Sequence, residues 1–287
     1  MEEYEAFIAG FDSWMKSLEW LTLSTAFPLI SVILYLTASD RVTSWIRSTY
    51  KLEPKGQFIK TLTVCQSGFL AVYSLWTFYN VTNILVNYFL QHRDDNDLLY
   101  TMLCDTKEKL WNGPSEAKIS ASLKFWVSHF YLSKYIEFMD TWIKQLKNEK
   151  PIFLQVYHHA GIVLLMWGFV ITKNTGPGGV VTCLNSFVHT IMYTYYTAAA
   201  FGYRSPLKKY LTQIQLIQFF TGVGITALEY FKESCLTSEQ RYSLIGIHLY
   251  TVYLIILFTD FYQSNYKSTT NGEAEKANAS SEVDKTK

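Results

Sequence analysis

The segment PIFLQVYHHAGIVLLMWGFVIT, residues 151–172, contains no Asp, Glu, Lys or Arg over its whole length. An uncharged, predominantly apolar run of about 18 or more residues is long enough to cross the hydrocarbon core of a bilayer as a helix. The charges Lys144, Lys147, Glu149 and Lys150 stand just before it and Lys173 just after it. The run therefore reads as one membrane span with marked ends.

Working outward, the pattern repeats. Seven candidate spans emerge, at roughly 20–38, 61–91, 124–142, 151–172, 180–203, 210–228 and 242–263. The second is long enough to tilt or bend. The third carries Lys124, Lys134, Glu137 and Asp140 and is kept because the charges of the loops require it. Composition agrees: 49% of the 287 residues are apolar and only 17% charged, against about 25% charged in soluble domains. The expected fold is all-α, a polytopic membrane protein with seven transmembrane helices. A net charge of +1 supplies no field for a polyanion, so nucleic acid is not an expected partner. The lipid bilayer is.

With alternating sides, the connections 39–60, 143–150 and 204–209 and the tail after 263 hold fifteen Lys and Arg, and the opposite side nine. The positive-inside rule then puts the N-terminus in a lumen and the C-terminus in the cytosol. The acidic start, with Glu2, Glu3, Glu5, Asp12 and Glu19 against Lys16, is no signal-peptide n-region. The expected organisation is a luminal segment over 1–19, a membrane domain over 20–263 and a disordered cytosolic tail over 264–287, polar and ending VDKTK. This topology places the sequon at Asn80 inside a span and that at Asn278 in the cytosolic tail, so neither is expected to be used. It also puts Cys104 and Cys235 in luminal loops, where an oxidising compartment permits a bridge. Cys65 and Cys183 fall inside spans.

Polar side chains inside a membrane are expensive and mark function by default. Lys134, Glu137 and Asp140 recur every three residues and share one side of a helix; an internal ion-paired stripe serves structure as well as chemistry. Gln155, His158 and His159 share a face of the fourth span, and Asn185 and His189 a face of the fifth that continues through Met192, Tyr193 and Tyr196. Thr212, Gln215 and Gln218 recur at threes in the sixth, and the seventh ends FTDFYQSNY with Tyr262. At about 1.5 Å rise per residue, His158 lies about 10 Å inside the cytosolic start of its helix. These groups can meet in one chamber open to the cytosol.

Six histidines fall short of the roughly eight ligands of a di-iron histidine-box enzyme. His92, His129 and His248 fall towards the luminal side, which leaves His158, His159 and His189. Three imidazoles suffice for one zinc, or for nucleophilic and acid/base work without metal; the second is preferred and no metal or cofactor is expected. A seven-helix receptor or transporter and a metal-dependent lipid oxidase or desaturase are the alternatives from the residues alone.

The motifs KYIEFMDT (134–141), the pair His158 and His159, NSFVHTIMYTYY (185–196), TQIQLIQF (212–219) and FTDFYQSNY (258–266) occur in the order found in the ELO (ELOVL-type) fatty acid elongases, which this chain resembles over its second to seventh spans. The resemblance implies seven helices, six of them forming an inverted barrel around an acyl tunnel in the endoplasmic reticulum membrane. It implies condensation of malonyl-CoA with a long-chain acyl-CoA to give 3-oxoacyl-CoA, CO2 and CoA. His158 would be the acyl-accepting nucleophile, with His159, His189 and Asn185 assisting. Gln155, Lys134, Glu137, Asp140, Tyr193, Tyr196, Gln215, Gln218 and Tyr262 would bind or support. The implied partners are the 3-ketoacyl-CoA reductase, dehydratase and enoyl-CoA reductase of the elongation cycle, and a second copy of the chain. The family's box is usually HxxHH. Gln155 at its first position resembles the elongases of polyunsaturated substrates in algae and other protists, so a polyunsaturated acyl-CoA is expected, with saturated or monounsaturated acyl-CoA as the alternative.

Overall fold

The computed structural model describes residues 2–17, 23–113, 121–203 and 207–267. Among these the chain is helical, with no strand. In chain order the helices are α1 (Glu2–Ser17), α2 (Ala26–Thr49), α3 (Gln57–Gln91), α4 (Leu98–Cys104), α5 (Lys109–Asn112), α6 (Leu123–Ile136), α7 (Phe138–Leu146), α8 (Phe153–Thr172), α9 (Thr175–Ala200), α10 (Lys208–Ala227) and α11 (Ser238–Tyr262). A 3-10 turn (Leu228–Phe231) extends α10, and a π-helical turn (Gln263–Lys267) extends α11.

Four helices are long and apolar enough to cross a membrane: α3, α8, α10 with its 3-10 turn, and α11 with most of its π turn. The other three expected spans are largely helical over their described residues but depart from the simple pattern. The third is divided at Glu137 into helices of 14 and 9 residues. The fifth begins at Thr175 and carries the polar residues Asn185, Ser186 and His189 on its buried face. The first does not stop at residue 38 but runs on to Thr49. The charges that end its apolar run do not end its hydrogen bonding, because Thr43 Oγ1 and Arg47 Nη1 bond the side chain and carbonyl of Gln145 on α7.

The expected tail is also corrected at its start: residues 264–267 continue the last helix as a π turn. The rest of the tail expectation, including Asn278 and VDKTK, lies outside the described residues. Asn80 is within α3.

The helices pack in a closed sequence. Here α3 lies along α9, α9 on α10, α10 on α11, α11 on α8, and α8 on α6, while α6 and α7 return to α3. Helix α2 rests outside, against α7 and α8. Apolar residues such as Val72, Ile217, Phe220, Leu249 and Ile256 face outward and are exposed, a surface suited to lipid rather than water. In lipid the apolar effect gives helices little reason to associate, so close packing and internal polar contacts hold them. Examples are Gln66 Nε2 donating to Ile136 O at 3.0 Å and the Tyr35–Thr141 hydroxyl pair at 2.8 Å. Contacts of this kind contribute about 0.5–2 kcal/mol each.

One end of the bundle is tied together covalently and by caps. Cys104 and Cys235 form a disulfide that joins α4 to the loop before α11. The Asp105 carboxylate accepts from the backbone N–H groups of Leu110 and Trp111. Thr237 and Gln240 make a reciprocal capping box at the start of α11, and Gln240 Nε2 also donates to the carbonyls of Thr172 and Lys173 at the end of α8. Gly176 lies against the carbonyl of Leu103 and the carboxyl of Glu229, where a Cβ would overlap both. Helix α9 starts with glycine-rich sequence because α4 passes that close. On the flank, α1 inserts Ile8 among Val81, Leu110, Phe125 and Trp126.

Candidate functional site

Inside the ring of helices is a cavity of about 660 Å³. Lys144, Lys147 and Lys208 line it, and it reaches the surface at exposed Lys208 and Ile152. Its inner wall carries Gln155, His158 and His159 from α8, Asn185, His189, Tyr193 and Tyr196 from α9, and Gln215 and Gln218 from α10. Asp140 of α7 lines it as well. The i, i+3 and i, i+4 spacings on α8 and α9 thus turn the polar faces of both helices to the same space.

A second pocket of about 50 Å³ continues from it towards the disulfide end. His158, Asn185, Gln218 and Phe219 line both. Beyond them the second pocket is walled mostly by apolar side chains, among them Ile162, Val181, Leu184, Val223, Ile247 and Leu254, with Thr226, His248, Tyr250 and Thr251. A polar chamber therefore passes into a mostly apolar recess, with His158 at the junction.

Behind the histidines is a buried charge network. Lys134 Nζ donates to Glu137 Oε1 at 2.6 Å and to Asn185 Oδ1 at 3.1 Å. It also sits 3.8 Å from the Phe130 ring centroid. His189 Nδ1 lies 3.4 Å from Glu137 Oε1 and His159 Nδ1 4.0 Å from Glu137 Oε2. The last two atoms have no hydrogen-bond partner among the described residues. Lys134 and Glu137 are 1% and 2% exposed, so neither ion keeps a hydration shell and each depends on the other.

The expected stripe of three charges is therefore only partly joined. Asp140 accepts a hydrogen bond from Tyr193 OH at 2.7 Å instead, and the interruption of the helix at Glu137 separates it from the Lys134 pair. Gln155 bridges outward: its Oε1 accepts from Lys144 Nζ at 2.5 Å and its Nε2 donates to Thr141 Oγ1 at 3.1 Å. Gln215 Nε2 reaches the sulfur of Met192 at 3.5 Å.

Tyr262 is not brought to the chamber. Its hydroxyl accepts from Gln213 Nε2 at 2.8 Å, while Tyr266, in the π turn, lines the cavity. A regular helical spacing does not anticipate that turn. His129 is enclosed by Phe11, Phe125 and Trp126, away from the other histidines, whereas His248 bonds Thr226 and lines the smaller pocket that His158 also lines.

Glu137, His158 and His189 bring three ligand-type atoms within 4.8 Å of one another. The Lys134 ammonium on Glu137 competes directly with any cation there. The residues not anticipated from sequence include Lys144 and Tyr250, with Lys147, Lys208 and Tyr266. Lys144 sits in a loop-like charge cluster and Tyr250 in an apolar run. A tyrosine hydroxyl in such a run needs a partner, and here it has His158: Tyr250 OH is 3.0 Å from His158 Nδ1 and donates to His158 O at 2.9 Å.

Residues 20–274 match the profile of the family described as ELO: GNS1/SUR4 family. The chain is 25% identical over 276 residues to fatty acid elongase sre1 of Dictyostelium discoideum, covering 94% of this chain and 96% of that one. It is 32% identical over 193 residues to fatty acid elongase 5 of Trypanosoma cruzi (strain CL Brener), covering 66% and 71%. Against very long chain fatty acid elongase 4 of Homo sapiens it is 33% identical over 207 residues, covering 69% of this chain and 63% of the human protein, so that match spans less than two thirds of the human relative.

Proposed function

The chain belongs to the ELO (GNS1/SUR4) family, and on that premise we propose that it is a fatty acid elongase, condensing malonyl-CoA with a long-chain acyl-CoA. The observation that carries this reading is the position of His158, between a polar-lined chamber wide enough for a hydrated headgroup and a small, mostly apolar recess where the start of an acyl chain can lodge. In this reading seven helices span the endoplasmic reticulum membrane, six of them form a barrel, and the lysine-lined mouth faces the cytosol. The C-terminus is cytosolic and the N-terminus luminal.

His158 Nε2 attacks the thioester carbonyl carbon of the acyl-CoA; a C–N bond forms, the C–S bond breaks and CoA leaves as thiolate. Malonyl-CoA then loses CO2, and the electron pair of the broken C–C bond becomes an enolate whose carbon attacks the acyl-histidine. The C–N bond breaks, 3-oxoacyl-CoA is released and His158 returns to its starting state. His159 and His189, which line the same cavity, would donate to the developing enolate oxygen, a role that preorganised donors perform well in a dry site. Asn185, held by Lys134, orients the reactants.

Gln155 at the first box position supports a polyunsaturated acyl-CoA as substrate. The product requires a reductase, a dehydratase and an enoyl reductase to complete a cycle. The test is to incubate membranes containing the protein with radiolabelled malonyl-CoA and a panel of saturated and polyunsaturated acyl-CoAs, comparing wild type with His158→Ala. The expected result is label in a product two carbons longer, absent from the variant. Label retained at the wild-type rate by His158→Ala refutes the acyl-histidine, and no label with any acyl-CoA refutes the elongase.

A further inference from the structure

Tyr250, on α11, is buried at 8% exposure and makes two contacts with one residue of α8. Its hydroxyl donates to the backbone carbonyl of His158 at 2.9 Å and stands 3.0 Å from the Nδ1 of the same residue. A phenol has a single proton to donate. With that proton committed to the carbonyl, the hydroxyl can only accept from Nδ1, so Nδ1 carries the hydrogen. In a neutral imidazole the other nitrogen is then a bare lone pair.

We propose that Tyr250 is a positioning residue that holds His158 in its Nδ1–H tautomer and so presents Nε2 as the nucleophile. This rests on the proposed condensation at His158 and deepens it.

The close approach that permits this is built into both helices. Gly161, three residues after His158, lies against the Tyr250 ring, and a Cβ there would overlap its Cε2 carbon. Tyr157 stacks on the same ring, with centroids 5.2 Å apart and planes at 22°. The ring thus packs against a residue before His158 and a glycine after it, which holds the hydroxyl close to the imidazole.

The proton balance of the two steps agrees with this arrangement. A neutral histidine that attacks through Nε2 and keeps its Nδ1 proton becomes a positively charged acyl-imidazolium, matched by the negative CoA thiolate. The enolate, which inherits the negative charge of the malonyl carboxylate, discharges it on transfer. Nδ1 never has to lose its proton. The hydroxyl therefore needs only to accept, and its hydrogen bond strengthens when the ring becomes charged.

The test combines a spectrum with kinetics, using the full-length protein in lipid vesicles. Solid-state NMR of protein labelled with 15N-histidine reports which ring nitrogen carries hydrogen, and the His158 signals are assigned by their loss in His158→Ala. In wild type the protonated nitrogen is expected to be Nδ1. In Tyr250→Phe, which removes only the hydroxyl, the Nε2–H form is expected to be populated. CoA release from acyl-CoA without malonyl-CoA should slow by roughly 10- to 100-fold, the worth of a hydrogen bond to a charged group, with KM for acyl-CoA unchanged. Gly161→Ala should shift the same signals by displacing the ring without altering either partner.

An Nε2–H form in wild type overturns the proposal, as does a Tyr250→Phe protein whose tautomer and rate match wild type. Condensation at the wild-type rate in His158→Ala instead overturns the catalytic reading and leaves the measured tautomer standing.

Discussion

Removing Lys134 tests the buried network most directly. Two unit charges 2.6 Å apart attract by about 6 kcal/mol at an effective dielectric of about 20. Each ion has given up several kcal/mol of hydration to be there, so the pair itself is worth little net. Breaking it is another matter. Lys134→Met leaves the Glu137 carboxylate buried with only imidazoles near it, and should cost about 3–5 kcal/mol. Glu137→Gln strands the ammonium at similar cost. The double variant Lys134→Met/Glu137→Gln removes both charges and should recover most of the loss. At roughly 2–4 °C per kcal/mol for a chain of this size, each single variant should lower the midpoint of heat denaturation by roughly 6–20 °C. The assay is the fraction of detergent-purified protein that remains monodisperse after heating, run on all four members of the cycle. If the double variant loses the sum of the two singles, the charges are not coupled and the network is wrongly drawn.

Cys104→Ser opens a link between residues 131 apart in sequence and should cost about 5 kcal/mol by loop entropy; unreduced wild type should migrate faster than the variant, and equal mobility denies the bridge. Gln155→His should retain measurable condensation, and complete inactivity would show that the amide itself is required. Lys173 and Asn112 hydrogen-bond the Glu108 carboxylate and hold it below the usual range. Its contribution is therefore present above the unfolded value and lost as pH falls through the lower folded one. Because Lys173 and Glu108 are largely exposed, Lys173→Met should cost under about 1 kcal/mol near neutrality, and the difference in midpoint should vanish in acid. A difference that persists unchanged in acid refutes the pairing.

What could be read from the sequence follows from which forces act locally. Uncharged length identifies Phe153–Thr172 as a helix almost to the residue, because burying apolar side chains and pairing every backbone group are demands a single segment meets alone. Helical spacing likewise puts Gln155, His158 and His159, and then Asn185 and His189, on common faces, and those faces meet in the chamber. Spacing fails where the backbone leaves the regular helix. The break at Glu137 divides one expected charge stripe between Lys134 and Tyr193 as partners. The π turn over Gln263–Lys267 puts Tyr266 rather than Tyr262 at the cavity. Spacing also says nothing about contacts between helices far apart in the chain. Tyr250 reaches His158 across 92 positions, and only the packing of α11 on α8 brings them together.

Gln155 shows why a departure from a motif need not be a departure in chemistry. Its amide accepts from an ammonium on one side and donates to a hydroxyl on the other, and Thr141 passes the chain on to Tyr35. A neutral imidazole, with one acceptor and one donor nitrogen, has the same pair of capabilities. A protonated one does not, since it cannot accept from Lys144 and would face it with like charge. The position therefore demands a neutral group that bridges Lys144 and Thr141, and glutamine meets that demand at every pH. The charges nearest the histidines are then those of Lys134 and Glu137, which neutralise each other, while Lys144, Lys147 and Lys208 stand with Asp140 along the chamber wall. Under the proposed condensation, the amide, imidazole and hydroxyl dipoles around His158 would serve first a cationic acyl-imidazolium and then an anionic enolate.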